Sequence, residues 1–341
     1  MTISSDKLDS SVITESDLRK YQLADLSEKV ISVIGYGNQG RSQAMNLRDS
    51  GLKIYIGNNE DDYSARARED KFDVLSIEAA SEKADIIFLL LPDEIQKEVF
   101  EKRMAPNLKK GSTVVFASGY NYFYGYVKPP AGTTVLMIAP RMIGWGVRDL
   151  FLKDKGFPVL VSVGNDPNGT GLQTLFSLCN SLGVFKKGGV AVMSSFREET
   201  LVDLLSEHTW AGAILYIFRA YYEVATSLGA SPEAVILDLY GSGELAEIAE
   251  SMKDMGLFKQ LKTHSPTSQY GQLTRGPQYA DDRLKEIIKR EALDILNGSF
   301  AREWTNEKET GMVVYDRLHE MSLDHEMERE ERKLYSLLGR V

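Results

Sequence analysis

The sequence is poor in cysteine, in basic excess and in long apolar runs, and each shortage excludes a class of protein. Cys179 is the only cysteine, so no intrachain disulfide and no thiolate metal cluster can form, which fits a reducing compartment. Its neighbours Leu175, Phe176 and Leu178 read as a helix core and give the thiol a structural place. Lys and Arg number 40 against 49 Asp and Glu, a formal net charge of −9. With no basic stripe to offset it, this balance argues against nucleic acid as a partner. The longest apolar runs, such as residues 86–91, fall far short of a membrane span, so no membrane partner is expected. Residues 1–6 lack a basic region followed by an apolar one, so no secretory leader is expected and the expected location is cytoplasmic. There is no internal repeat and no low-complexity segment.

What is present is an ordinary globular composition, 43% hydrophobic and 26% charged over 341 residues, long enough for two domains. Residues 29–34, 53–57, 86–91, 113–116, 134–138 and 158–163 are β-branched or apolar runs that read as strands. Helical spacing at 41–50, 77–82 and 94–102 alternates with them, which predicts an α/β domain with a parallel sheet covered on both faces. From about residue 190 the strand pattern stops, and helical windows follow at 197–228, 232–257, 279–297 and 305–338. The expected division is therefore a Rossmann-type domain over 1–190 and an all-helical domain over 191–341.

The first strand ends in Gly35-Tyr36-Gly37-Asn38-Gln39-Gly40 and a helix begins there. Strand, glycine turn and helix in that order are the context a dinucleotide fingerprint requires. Gly35 permits the tight turn, Gly37 lets the backbone approach a pyrophosphate, and Gly40 allows helix and strand to pack closely. After the second strand come Asn58, Asn59, Glu60, Asp61 and Asp62, with no Arg or Lys before Arg66. A carboxylate accepts from a ribose 2′-hydroxyl and repels a 2′-phosphate, so NAD(H) is expected over NADP(H). The alternative is an acidic surface loop that touches nothing.

Several segments together resemble ketol-acid reductoisomerase of the short, class I type. They are the glycine loop, Asn46-Leu47-Arg48-Asp49-Ser50-Gly51, Leu91-Pro92-Asp93-Glu94-Ile95-Gln96, Glu198-Glu199-Thr200, Gln269-Tyr270-Gly271 and Gly298-Ser299-Phe300-Ala301-Arg302-Glu303-Trp304. They span nearly the whole chain in the family's order. The resemblance implies a helical, knotted C-terminal domain and homodimers whose active sites use both subunits. It also implies a two-step reaction: magnesium-dependent alkyl migration on a 2-acetohydroxy acid such as 2-acetolactate, then hydride transfer to the new 2-keto group to give 2,3-dihydroxyisovalerate. Pro92 and Asp93 join the glycine loop, Asn58 and Glu60 as expected cofactor contacts.

The same resemblance puts metal-binding carboxylates on Asp203 and Glu207, an i, i+4 pair on one helix face, with an exposed helix face as the alternative. The family's second carboxylate pair falls on Asp238 and Ser242 in one register and on Tyr240 and Glu244 in another, and Gly241 and Gly243 interrupt the helix there. Ser118 stands at the family's active-site histidine and Arg141 at its lysine. Arginine stays protonated and suits a carboxylate clamp rather than proton transfer. Ser265 matches the family's substrate-contacting serine, although residues 263–268 also read as a polar loop. The resulting expectation is reduction of a 2-keto acid with Arg141, Asp203, Glu207 and Ser118 as catalytic groups, Ser265 and Glu244 on the substrate and magnesium as a candidate metal. The alternatives are a complete reductoisomerase and a dinucleotide-binding protein without catalysis.

Overall fold

The computed structural model describes residues 11–340; the expectation about a leader rests on residues 1–6 and lies outside them. Among the described residues nine strands form one sheet: β1 (Val12–Ile13), β2 (Val30–Ile34), β3 (Lys53–Gly57), β4 (Asp73–Leu75), β5 (Ile86–Leu89), β6 (Thr113–Phe116), β7 (Thr134–Pro140), β8 (Pro158–Asn165) and β9 (Val190–Met193). Their spatial order is β1-β9-β8-β7-β6-β5-β2-β3-β4. The run β4-β3-β2-β5-β6-β7 is parallel throughout. The chain leaves β2 towards β3 and β4, then crosses back to β5 on the other side. Such a reversal opens a crevice at the carboxyl ends of the strands, where this class of sheet binds dinucleotides.

Successive residues of these strands alternate between two buried faces. Ile31, Val33, Phe88 and Val115 pack into one core, and Ile34, Ile87, Leu89, Val114 and Phe116 into the other. Being apolar on both faces is why the strands read as continuous runs.

The sheet differs from expectation at its far end. β8 runs antiparallel to β7, and β1 antiparallel to β9, so the sheet is mixed. An apolar run carries no sign of its direction, and an antiparallel neighbour needs no crossover helix. The strand pattern also continues past residue 190 into β9, and the compact units divide between Val202 and Asp203.

The second unit is helical. Helix Phe196–Ser206 spans the division and leads through a wide turn at Glu207–Ala211 into helix Gly212–Ser227. Gly241 closes another wide turn, and Gly243 takes φ +96°, a left-handed value suited to glycine, before helix Glu244–Met255 begins. The window 305–338 is three helices, Ser299–Glu309, Val313–Leu323 and Glu326–Leu337, separated where Gly311 and Met312 take positive φ and where His325 caps the last. The buried apolar cluster of this unit is Tyr222, Val235, Ile236, Met327 and Leu334. Among the described residues no helix is long and apolar enough to cross a membrane.

Candidate nucleotide and substrate site

The glycine loop leaves β2 at the crevice, and its three glycines meet different surroundings. Gly35 has φ +96°, and a Cβ there would lie 2.8 Å from the Leu90 carbonyl oxygen. A Cβ on Gly40 would lie 2.1 Å from the Gly35 carbonyl oxygen. Protein packing therefore requires both. Gly37 is the contrary case: nothing lies within 4 Å of a Cβ there, and the residue caps helix Asn38–Asp49. The space in front of a twelve-residue helix N-terminus is thus open, with backbone N–H groups and the positive end of the helix dipole facing it. A cleft of about 500 Å³ runs from Gly37 and Asn38 back along the flank of their helix, past Arg41 and Met45, to Trp145 and Arg148. The open helix N-terminus at Gly37 fits a dinucleotide pyrophosphate.

The loop is held rigidly from behind. Tyr36 is buried, its ring edge-on to Phe72 and its hydroxyl donating to Asp70 at 2.9 Å, so its side chain supports the loop. Gln39 Nε2 donates to the Met142 carbonyl at 3.0 Å, and a Cβ on Gly144 would lie 2.2 Å from the Asn38 carbonyl oxygen. The segment after β7 therefore buttresses the phosphate loop. Arg41 grips Asp70 through two hydrogen bonds of 2.7 and 3.1 Å, and this guanidinium holds the Asp70 carboxyl below the usual range.

Beyond β3 the acidic loop is built differently from its sequence. Asp61 caps helix Asp62–Glu69, accepting from Ser64 N at 2.9 Å and from Asn58 Nδ2 at 2.8 Å. Glu60 accepts from Arg68 Nη2 at 2.5 Å. Asn59 Oδ1 accepts from Arg103 Nη1 at 2.6 Å. The loop carries no cation of its own before Arg66, yet two guanidiniums reach it. Arg68 comes from one helical turn onward and Arg103 from a distant element, the latter invisible to a local scan.

At the end of β5, Pro92 caps helix Asp93–Val99. Asn121 Nδ2 donates to Asp93 Oδ1 at 2.8 Å, tying this turn to the segment after β6. There the structure draws together residues remote in sequence. Glu199, only 2% exposed, accepts from the Gly119 backbone N–H at 2.5 Å and from Arg141 Nη1 at 3.2 Å. A Cβ on Gly119 would strike the Phe196 carbonyl oxygen at 2.3 Å, so glycine is needed for this approach. Ser118 Oγ accepts from the Tyr120 N–H at 3.2 Å. Arg141 and the Gly119 N–H, next in sequence to Ser118, thus meet at one buried carboxylate that was seen in the sequence only as part of a motif. Its signal was the spacing of Phe196, Glu199 and Thr200, the buried face of their helix.

Asp203 and Glu207 follow on the second unit, Asp203 half-buried and Glu207 exposed. Among the described residues no group of three or more His, Cys, Asp or Glu side chains is placed to hold a metal ion. Ser265 lies not in a polar loop but at the N-terminus of helix Pro266–Arg275, its Oγ accepting from Ser268 N at 3.3 Å. Glu244 is exposed at the first turn of its helix. Tyr240 donates to Glu331, while Asp238 is exposed. His208 bonds Glu291 at 2.8 Å and packs edge-on to Phe300.

The sheet order, the open glycine loop and the buttressed crevice define a nicotinamide-dinucleotide-binding oxidoreductase with a Rossmann domain. Residues 25–188 match the acetohydroxy acid isomeroreductase NADPH-binding domain, and residues 196–339 match the ketol-acid reductoisomerase C-terminal domain. The chain belongs to the ketol-acid reductoisomerase family. It is 47% identical over 321 residues to a Saccharolobus solfataricus protein named "Putative ketol-acid reductoisomerase 3", covering 93% of this chain and 96% of that one. It is 37% identical over 319 residues to the ketol-acid reductoisomerase (NADP(+)) of Methanopyrus kandleri, covering 93% and 96%. Among solved structures it resembles an NADH-preferring ketol-acid reductoisomerase from an uncultured archean, with TM-score 0.87, 30% identity and coverage of 96% and 98%. Nothing in these likenesses supports a dinucleotide-binding protein without catalysis, or a family member that has lost the alkyl-migration step.

Proposed function

We propose that this chain reduces a 2-keto acid by hydride transfer from NADH, with Arg141 and Ser118 at the substrate. The observation that carries this reading is the cluster of Arg141, Glu199 and the Gly119 N–H beside the turn that Asp93 and Asn121 tie together. The bound nucleotide supplies the hydride. The chain's own residues bind and orient. The helix that starts after Gly37 faces the pyrophosphate with its N-terminus. Arg141, held through Glu199 and permanently charged, attracts the substrate carboxylate. The alkoxide formed at C2 needs a proton; the Ser118 hydroxyl, whose oxygen accepts from Tyr120 N–H, would donate its own and be resupplied from water.

NADH is favoured over NADPH in this proposal because Glu60 and Asp61 lie at the ribose end of the loop, and the solved relative above is NADH-preferring. The relatives named for NADP(+) make this the sharper part of the test. Asp203 and Glu207 would hold one magnesium ion or a substrate amine, with Ser265 and Glu244 approaching the substrate. We further infer a homodimer with shared active sites, because Leu215, Tyr216, Ile217 and Val224 leave helix Gly212–Ser227 with several exposed apolar side chains.

A second reading, the complete conversion of 2-acetolactate to 2,3-dihydroxyisovalerate in branched-chain amino-acid synthesis, is favoured by the relatives' names and by the Asp203–Glu207 spacing. Nucleotide oxidation with 2-acetolactate, and separately with the rearranged 3-hydroxy-3-methyl-2-oxobutanoate, decides between them. Turnover of both with magnesium supports the complete reaction, and turnover of the second alone supports reduction without migration. If neither is reduced by NADH or NADPH, both readings fail.

A further inference from the structure

The guanidinium that touches Asn59 is engaged on its other side. Arg103 Nε donates to Glu78 Oε1 at 2.5 Å and Nη2 to Oε2 at 3.0 Å, while Nη1 reaches Asn59 Oδ1 at 2.6 Å. Arg103 lies in the wide turn Phe100–Met104 and Glu78 in helix Ile77–Lys83. The two side chains are 29% and 41% exposed, so the pair sits at the rim of the protein where a ligand can reach it. A two-bond fork directs most of the guanidinium's hydrogen-bonding capacity and charge at one carboxylate. Arg103 also holds the Glu78 carboxyl down to about 2, so Glu78 is an anion throughout the neutral range.

We propose that Glu78 is a specificity-determining residue for the nucleotide: by occupying Arg103 it withholds from a 2′-phosphate the guanidinium that already touches the ribose loop. The proposal rests on the reading that the adenosine ribose lies beyond β3. Arg103 and Glu78 lie outside that loop and so act on it from a second layer. A 2′-hydroxyl does not need the cation and is accepted. A 2′-phosphate brings a dianion beside Glu78 and finds Arg103 already paired. The Arg68–Glu60 pair is arranged similarly, but at 47% and 78% exposure it is more strongly screened by water.

Fluorescence titration of the full chain with NADH and with NADPH tests this at low ionic strength. Glu78→Gln is expected to shift the NADPH-to-NADH affinity ratio roughly tenfold towards NADPH. The shift disappears in the Glu78→Gln/Arg103→Gln double variant and shrinks with added salt. Arg103→Gln alone leaves an unpaired carboxylate by the loop and moves the ratio the other way, which keeps the proposal testable should Glu78→Gln fail to fold. A ratio unchanged in folded Glu78→Gln, or a gain retained in the double variant, overturns it. Gly37→Val separates the two levels: loss of both nucleotides with an unmoved Glu78→Gln ratio sinks the specificity role alone. Wild-type binding by Gly37→Val sinks the cofactor placement and the proposal with it.

Discussion

Ile31, Val33, Phe88 and Val115 of the sheet unit are buried to the last few percent, whereas Leu215, Tyr216 and Ile217 of helix Gly212–Ser227 are 68%, 65% and 54% exposed. The sheet unit buries both faces of its strands under its own helices. The helical unit has a small core of its own and presents apolar side chains outwards, including Val313, Val314, Leu318 and Met321. The difference separates two kinds of stability. One unit is stable through intrachain packing and frames the proposed nucleotide crevice; the other leaves apolar side chains exposed, the surface on which the proposed homodimer would form.

The largest effect expected from breaking this comparison is in the sheet. Phe88→Ala empties a fully buried site and should cost about 3–5 kcal/mol, measured as a denaturation midpoint that does not depend on protein concentration. Next is the buried carboxylate: Glu199→Gln removes the anion opposite Arg141 and should lower kcat/KM roughly a hundredfold. Its NADH dissociation constant should stay close to wild type, because the glycine loop is untouched.

A smaller change is expected on the helical unit. Leu215→Arg places a charge on the exposed apolar face and should weaken self-association by roughly thirtyfold, read by sedimentation at several concentrations, with the sheet unit's nucleotide affinity unchanged. A wild-type chain that is monomeric at all concentrations would remove this half of the comparison.

The glycine loop, the strands framing it and the helical second half were legible in the sequence because each depends on local pattern: a turn between strand and helix, or apolar periodicity. What was not legible depends on long-range pairing. The direction of β8 leaves no trace in an apolar run. Arg103 reaches Asn59 across 44 residues and Glu199 reaches the Gly119 N–H across 80. Ser265 could be matched to a motif, yet its place at a helix N-terminus depends on Pro266–Arg275 forming a helix that the polar run disguised.

Two finer predictions concern titration. Asp70 has a carboxyl held below its ordinary value, first by Arg41. A depressed folded-state value contributes stability that is present above the unfolded value of about 4 and lost as pH falls through the folded one. The sheet unit should therefore lose stability below about pH 4, and Asp70→Asn should flatten that acid limb in denaturant titrations. Smallest of all is the thiol. Burial pushes Cys179 up, so the native protein should not react with a disulfide reagent at pH 8 and should react with one equivalent per chain once unfolded.

The most direct test of the central claim follows the hydride itself. NADH carrying deuterium at both C4 positions is incubated with the full chain and 3-hydroxy-3-methyl-2-oxobutanoate, and the product is weighed by mass spectrometry. The account predicts 2,3-dihydroxyisovalerate with a single deuterium on C2. Failure to form that product with either nicotinamide nucleotide, or its formation without the label, would contradict it.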